Sequence, residues 1–289
     1  MTSGGERTSM TRIVLKLKRI FGDWHRINRL YVPLDVKARI WKTWFRVIVF
    51  RRYDATLKTA ELAGFKIRYC SFDSMVYLFR ELFINQEYLF VTEIGNPFIV
   101  DCGSNIGISV LYFKTIYPEC AILAFEPDED AFACLEENVN VNGLKSVEIA
   151  KKAVSKSDSR IDFWYSDIKP GALGNTIRGT TPRQARPVDA VRLSNYIDSE
   201  VDFLKLDVEG AELEVIRELY EAGKLRRVKQ MVIEYHLHMT EEEDDFSKIL
   251  WLLEDARFCY QIGAVLKRPF KGKQFQPIHI YAYRKEGAA

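Results

Sequence analysis

One stretch of the chain, residues 98–117, restricts the fold more than any other. A short apolar run from Phe98 ends at Asp101, and two glycines, Gly103 and Gly107, follow it. The apolar spacing after Gly107 predicts a helix that ends before Pro118. A buried strand, a glycine turn and a helix in this order are typical of α/β sheets that hold a nucleoside at the turn.

The turn differs from the one that binds a dinucleotide. A dinucleotide fold uses Gly-x-Gly-x-x-Gly because a pyrophosphate sits on the turn. Here Ser104 and Asn105 stand between Gly103 and Gly107, and Asp101 is a poor neighbour for a phosphate. An acid at this place suits a sulfonium or an amino group, and S-adenosylmethionine has both and carries no phosphate. All five residues are therefore predicted to bind that donor.

A second acid follows in the next strand–helix unit. Glu126 ends an apolar run, precedes Pro127 and comes 25 residues after Asp101, close to the roughly 20 expected for a ribose-binding acid. We predict that Glu126 accepts hydrogen bonds from both ribose hydroxyls, with Pro127 beside it. The alternative is that Glu126 only belongs to an acidic helix start. The adenine is expected beside the backbone of Ala153 and Val154.

Two later strands carry the candidate residues of the acceptor side. Alternation places Asp207 and Glu209 on one side of a strand that begins at Val201, and Glu234 and His236 on one side of the next strand. These strands are expected to be neighbours with their carboxyl ends at the ligand crevice. We predict general-base chemistry, with His236 or Asp207 as the base and with Glu209 and Glu234 orienting the acceptor.

Two other interpretations of these residues stay open. A divalent metal ion takes carboxylate oxygens and imidazole nitrogen as ligands, so a possible metal site consists of Asp207, Glu209, Glu234 and His236. Alternatively, Lys205 and Glu209 form a structural ion pair.

Several of these motifs resemble the FkbM-type S-adenosylmethionine-dependent methyltransferases. The resemblance covers roughly residues 64–284, and its most specific part runs from Leu206 to Glu212. It implies a class I, Rossmann-like methyltransferase that places methyl groups mainly on oxygen, often on sugar or polyketide hydroxyls. One departure is Cys102-Gly103-Ser104, where the family more often has Val-Gly-Ala. The other matching segments are Glu87-Tyr88, Ile99 to Gly107, Phe125-Glu126-Pro127 and Asn138 to Gly143.

The order of strands and helices after Pro97 predicts a doubly wound, mostly parallel seven-stranded α/β sheet. A C-terminal antiparallel hairpin is expected to close it. Five cysteines without a Cys-x-x-Cys pair predict reduced thiols and a cytoplasmic protein. The predicted strands lie near residues 98–101, 121–126, 146–150, 203–207, 230–235, 258–266 and 278–283.

The first part of the chain is strongly basic. Twelve basic residues and two acids lie in residues 11–52, among several aromatic side chains. We assign residues 1–60 to a basic amphipathic helical extension and residues 61–289 to the methyltransferase domain. The extension is predicted either to cap the core or to lie on an anionic membrane through residues 11–52, which would make the protein peripheral at the inner face. Nucleic acid is a third interpretation.

A long segment rich in glycine and proline, Ser166 to Pro187, contains Arg178, Arg183 and Arg186. Loops of this length are uncommon inside a compact domain unless they serve function. We predict a lid over the acceptor, with the arginines meeting an anionic or polyhydroxylated group.

The sequence therefore predicts an S-adenosylmethionine-dependent O-methyltransferase. The expected acceptor is a hydroxyl on a glycan, a lipid-linked sugar or a related metabolite. Two alternatives remain. One is an RNA or protein methyltransferase whose basic helices hold the polymer, and the other is a non-catalytic nucleoside-binding module.

Overall fold

The computed structural model describes residue 18 and residues 20–30, 32–50, 54–165, 184–237, 245–264 and 276–284. Twelve β-strands lie in this part of the chain. In chain order they are Thr59–Leu62 (β1), Phe65–Arg68 (β2), Phe98–Cys102 (β3), Ala121–Phe125 (β4), Val147–Ala150 (β5), Ala153–Ser155 (β6), Ser159–Tyr165 (β7), Gln184–Arg192 (β8), Val201–Leu206 (β9), Val228–Leu237 (β10), Phe258–Ala264 (β11) and Gln276–Arg284 (β12).

Seven α-helices lie in the same described ranges. The helices that begin at Leu34 and Phe72 continue as π-helices over Trp44–Val49 and Arg80–Ile84. The seven are residues 20–29 (α1), Leu34–Thr43 (α2), Phe72–Phe79 (α3), Ile108–Ile116 (α4), Glu129–Val141 (α5), Glu212–Glu221 (α6) and Phe246–Asp255 (α7).

The central sheet has seven strands in the order β11-β12-β10-β9-β3-β4-β5. The five strands from β10 to β5 in this order are parallel, whereas β12 is antiparallel to both β10 and β11. The predicted doubly wound sheet with a C-terminal antiparallel hairpin is therefore confirmed. β9 is buried along its whole length, and its sequence is accordingly apolar except for Asp202 and Lys205.

The strand order determines where a ligand can bind. The chain runs from β3 to β4 and β5 on one side, and it returns to the other side of β3 when it forms β9. Such a reversal leaves a crevice at the carboxyl ends of the two strands, and ligands of open α/β sheets bind there. The glycine turn follows β3 and Asp207 follows β9, so both lie at this crevice.

A second sheet has three strands in the order β6-β8-β7, with β8 antiparallel to β7 and parallel to β6. The predicted loop over Ser166 to Pro187 is wrong at its C-terminal end, because residues 184–187 begin β8 and Arg186 lies in that strand. The rest of this segment, with Arg178 and Arg183, lies outside the described residues.

The two N-terminal helices pack on the core of the molecule. Ile27 of α1 and Ile40 of α2 are buried in one hydrophobic cluster with Phe79 of α3. An ion pair fastens the two layers, since the buried carboxylate of Asp23 lies 2.5 Å from the guanidinium of Arg80. The described helices thus cap the core, as one of the predictions for the extension stated. The boundary at residue 60 stays a prediction.

Aromatic side chains of the same helices also face solvent. Phe21, Trp24, Phe45 and Phe50 are exposed, and the rings of Phe45 and Phe50 stack with centroids 6.5 Å apart. In the part of the chain that the structure describes, none of the helices is long and apolar enough to span a bilayer.

Candidate active site

The glycine turn after β3 brings two strands into unusually close approach. Gly103 has a φ of +89°, and a Cβ atom there would lie 1.9 Å from the carbonyl oxygen of Asp207. Any other residue would force β3 and β9 apart, so this position requires glycine. Gly107 (φ +84°) precedes α4, and its missing side chain makes room for Leu135 of α5. Gly103 therefore allows β3 and β9 to approach at the site, whereas Gly107 allows α4 and α5 to pack closely.

The backbone N–H groups of the turn are already used within the protein. Those of Gly103 and Ser104 both donate to the carbonyl oxygen of Phe125, each at 2.9 Å. The N–H of Asn105 donates to the Glu126 carboxylate at 2.8 Å. A phosphate-binding turn offers its N–H groups to the ligand, and these three are not available for that purpose.

A cavity opens beside the turn and is bordered by the carboxyl ends of β3, β4 and β9. Nine of the residues predicted from sequence line it, whereas Asp101, Gly107, Glu234 and His236 are not among the residues of its wall. Leu78, Leu82 and Tyr88 also line it. Tyr88 belongs to a segment named in the family resemblance, whereas Leu78 and Leu82 were not predicted from the sequence. The nine are Gly103, Ser104, Asn105, Glu126, Pro127, Ala153, Val154, Asp207 and Glu209.

Glu126 is held rigidly in the wall of this cavity. Its two carboxylate oxygens accept hydrogen bonds from the N–H groups of Asn105 and Asp128, both at 2.8 Å. Asp128 in turn caps α5 by accepting from Ala131 N–H at 2.8 Å. Burial raises the pKa of Glu126 to about 8, although these hydrogen bonds act in the opposite direction. The structure thus presents a fixed acceptor that can meet a pair of hydroxyl groups.

Asp101 lies beneath the turn and is fully buried. One oxygen accepts a hydrogen bond from the Ser109 hydroxyl at 2.5 Å, and the other lies 3.5 Å from the ammonium of Lys205. Its charge is therefore paired inside the protein, which gives a physical reason why Asp101 does not line the cavity. Direct contact between Asp101 and a donor stays a prediction.

Lys205 lies at the centre of the site, although the sequence predicted for it only a possible ion pair with Glu209. Its ammonium donates to the carbonyl of Gly103 at 2.5 Å and lies 3.3 Å from the Asp207 carboxylate. The ion pairs of Lys205 are thus with Asp101 and Asp207, and the predicted pair with Glu209 is not formed. Burial alone would lower the pKa of Lys205, but the two carboxylates outweigh it and raise the pKa, so the charge is kept.

A second cluster of charges surrounds His236 at the end of β10. Its Nδ1 lies 2.9 Å from Glu212, while its Nε2 lies 3.3 Å from Glu209 and 3.8 Å from Asp207. Burial acts to lower the pKa of His236, but these carboxylates raise it well above the ordinary value. Carboxylates at both ring nitrogens therefore favour the protonated imidazole over the neutral form. This geometry favours a carboxylate over His236 as the base.

The pKa values of Asp207 and Glu209, the acids beside His236, are also shifted. Burial raises the pKa of Asp207 to about 6 and that of Glu209 to about 7, against the opposing effects of Lys205 and His236. Glu209 also has a φ of +53°, which is strained for a residue with a side chain and places it on a sharp turn ahead of Gly210. Both carboxylates are thus held at the edge of the cavity.

A third group of polar side chains consists of Glu234 and its neighbours Tyr88, His279 and Glu87. Its carboxylate accepts from the Tyr88 hydroxyl at 3.3 Å and lies 3.5 Å from His279, which is also 3.8 Å from Glu87. Burial would raise the pKa of Glu234, but the neighbouring histidines lower it to about 2. The sequence analysis missed His279, and only its pairing with Glu234 across β10 and β12 brings it here.

The predicted metal ligands come together only in part. Asp207, Glu209 and His236 each offer an atom within 4.8 Å of the others, while Glu234 lies 3.9 Å from His236. Glu212 holds Nδ1 of His236, as a carboxylate often holds a metal-binding histidine. The donor set fits a divalent cation once Nε2 of His236 loses its proton. The metal stays a prediction.

The fold and the site define a methyltransferase. A family model described as methyltransferase FkbM domain matches residues 101–260, which is more than half of the chain. The protein therefore belongs to the FkbM methyltransferases, as the motifs in its sequence had predicted.

Three relatives similar to this chain are themselves named methyltransferases. It is 28% identical over 208 residues to Methyltransferase 1 of Beauveria bassiana, across 64% of this chain and 82% of that protein. It is 32% identical over 176 residues to Methyltransferase sdnD of Sordaria araneosa, across 49% and 67%. It is 28% identical over 151 residues to the 2-O-methyltransferase NoeI of Sinorhizobium fredii, across 46% and 61%.

Replacing Lys205 with Met should lower the free energy of unfolding by about 3–5 kcal/mol, because Asp101 and Asp207 would lose their shared cation. Denaturant unfolding measures the change. Lys156→Met is the matched control, since that exposed ammonium pairs with Glu214 at the surface and should contribute less than about 1 kcal/mol. Equal effects of the two substitutions would contradict the role given to Lys205.

Proposed function

We propose that this methyltransferase uses S-adenosylmethionine and methylates a hydroxyl of a glycan, a lipid-linked sugar or a related metabolite. One observation carries the proposal: Glu126 and the pair Asp207 and Glu209 line the same cavity beside the glycine turn. A donor bound at Glu126 and an acceptor bound at Asp207 would share one space. Such proximity is the main source of rate in a transfer between two bound molecules.

The donor side favours a nucleoside without phosphate. The N–H groups of Gly103 and Ser104 donate to Phe125, so the turn offers little to a pyrophosphate. Glu126 offers a carboxylate, which suits two ribose hydroxyls. Ala153 and Val154 line the same cavity, where the adenine is expected beside their backbone.

The acceptor side supplies a base. S-adenosylmethionine, when bound, supplies an activated methyl group that a hydroxyl oxygen can accept. The hydroxyl must lose its proton, and a positioned carboxylate can take it. Asp207 lines the cavity, and its Oδ1 receives no hydrogen bond from the described residues. We assign the base to Asp207, with Glu209 beside it to orient the hydroxyl.

The charge around the cavity argues for the class of acceptor. The carboxylates of Asp207 and Glu209 line the acceptor end of the cavity, and the Tyr88 hydroxyl, which also lines it, donates to the carboxylate of Glu234. Carboxylates accept hydrogen bonds from sugar hydroxyls and repel phosphates, so a neutral or cationic polyhydroxylated acceptor fits better than RNA. The relative NoeI is itself named a 2-O-methyltransferase, which supports oxygen as the methylated atom.

At pH 8 and above, Glu126→Gln should lower the affinity for S-adenosylmethionine about tenfold or more, because a charged acceptor of hydrogen bonds is lost. The pKa of Glu126 is raised to about 8, and ribose hydroxyls require its ionised form. Wild-type affinity should therefore rise between about pH 6 and pH 8, and the rise should be smaller in the variant. Calorimetric titration at both pH values measures this.

The control for that titration is Glu129→Gln, which removes an exposed acid one turn away without touching the cavity. It should leave the affinity and its pH dependence unchanged. If the wild-type protein binds neither S-adenosylmethionine nor its demethylated product, the proposed function is wrong.

Asp207→Asn should lower kcat about 10²- to 10⁴-fold, because the amide cannot take the hydroxyl proton, while donor affinity stays close to wild type. Release of demethylated donor, measured with a panel of glycans and RNA, reports the rate. Asp198→Asn is the control, since that acid is exposed and pairs with Lys224. Full activity of Asp207→Asn would exclude Asp207 as the base, and faster turnover on RNA than on glycans would overturn the acceptor class.

The same assay decides the metal question. If Asp207, Glu209 and His236 hold a divalent cation, a chelator should abolish transfer and added Mg²⁺ or Mn²⁺ should restore it. Unchanged rates in chelator would remove the metal from the proposal and leave the carboxylate base in place.

Contact of the N-terminal helices with an anionic membrane stays a prediction. Exposed Phe45 and Phe50 near several basic residues are typical of a surface that lies at a lipid interface. In vesicle flotation, Phe45→Ser/Phe50→Ser should bind anionic vesicles several-fold less than wild type, whereas Trp251→Ser, which changes an exposed aromatic residue of α7, should not. Wild-type protein that stays unbound would contradict the prediction.

A further inference from the structure

Two cysteines far apart in the sequence lie side by side in the fold. The Sγ atoms of Cys70 and Cys134 are 3.2 Å apart, and the two thiols share a hydrogen bond. Cys70 follows β2 and is half-buried, while Cys134 lies on α5 and is buried. Both are free thiols, and the cavity of the active site includes neither of them.

The approach of the two sulfur atoms is fixed by polar contacts between α5 and β2. Asn138 of α5 accepts from the N–H of Arg68 at 2.6 Å and donates to the carbonyl of Arg68 at 3.0 Å. One turn later, Asn142 makes the same pair of bonds to Lys66, at 2.9 and 2.7 Å. The two side-chain amides thus act as a strand partner for β2. They set the register that places the thiols together.

The surroundings also suit thiolate chemistry. The Arg68 side chain, which pairs with Glu137 at 2.6 Å, is close enough to interact electrostatically with both thiols. A hydrogen bond from Cys70 and the charge of Arg68 lower the pKa of Cys134, against the effect of burial. A thiolate is the form that attacks a disulfide.

We propose that Cys70 and Cys134 are an oxidation site that closes to an intramolecular disulfide when the protein meets a small-molecule disulfide such as oxidised glutathione. Attack by one cysteine thiolate breaks the small disulfide, forms a mixed disulfide and expels one small thiolate. The second cysteine then attacks the protein-bound sulfur, forms the Cys70–Cys134 bond and expels the other. The two protein thiols are oxidised, and one small disulfide is reduced to two thiols that take up the two protons.

The bond needs only a small movement. The two sulfur atoms must approach from 3.2 Å to the roughly 2.05 Å of a disulfide, and rotation of the two side chains can supply most of this. The product would join the N-terminal hairpin of β1 and β2 covalently to α5. The first turn of α5 borders the donor cavity through Asp128, so oxidation would fasten one wall of the site to the N-terminal part of the chain.

The test uses the full chain, treated with either oxidised glutathione or a reducing agent. Wild type should fall from five free thiols to three, and peptide mapping should recover Cys70 linked to Cys134. The melting temperature of the oxidised protein should be about 5 °C or more above that of the reduced protein, because the crosslink closes a long loop.

Three serine variants assign the effect to this pair. Cys259→Ser removes another half-buried thiol. On oxidation this variant should lose two of its four thiols, and its melting temperature should rise as that of wild type does. Cys70→Ser and Cys134→Ser should do neither, and each should at most carry one glutathione on its remaining cysteine. If a serine variant fails to fold, recovery of the Cys70–Cys134 peptide from oxidised wild type still tests whether the disulfide forms.

A wild-type protein that keeps five thiols, or that gains only glutathione adducts without a Cys70–Cys134 peptide, would overturn the proposal. So would an oxidised form whose melting temperature equals that of the reduced form. Neither result depends on whether the protein binds S-adenosylmethionine, so the oxidation site and the proposed function stand or fall separately.

Discussion

The buried ammonium of Lys205 joins the two sides of the crevice. It lies between the ends of β3 and β9, where it pairs with Asp101 and Asp207 and donates to the carbonyl of Gly103. Removing a charge from water costs several kcal/mol, and only paired and hydrogen-bonded surroundings can offset that cost. The turn and the acceptor-side acid are therefore positioned by one cation, and neither can shift without disturbing the other.

The remaining charges of the site follow the same logic. His236 is enclosed by Glu212, Glu209 and Asp207, and His279 lies between Glu234 and Glu87. Each imidazole neutralises acids that would otherwise repel one another at close range. The result is an acid-rich face whose side chains are held in place before any ligand arrives, as a site that orients two substrates requires.

The features that could be predicted from the sequence are those that depend on residues close together in the chain. The apolar run before Asp101 and the turn with Gly103 predicted a site at this turn, and nine predicted residues do line one cavity. What sequence missed depends on pairing between distant segments. Lys205 acquires its partners because β9 lies beside β3, and His279 reaches Glu234 only through the register of β12 on β10. β8 was taken for a loop at residues 184–187, because its pairing with β6 and β7 is not evident from local spacing.

The side chains of Asn138 and Asn142 have a consequence for association between copies of the chain. β1 and β2 form a sheet of only two strands, and the outer edge of such a sheet normally leaves N–H and C=O groups open to a foreign strand. Here the two amides already satisfy the backbone of Lys66 and Arg68. The β2 edge of the hairpin is thereby protected from edge-to-edge aggregation, because α5 takes the place of a neighbouring strand.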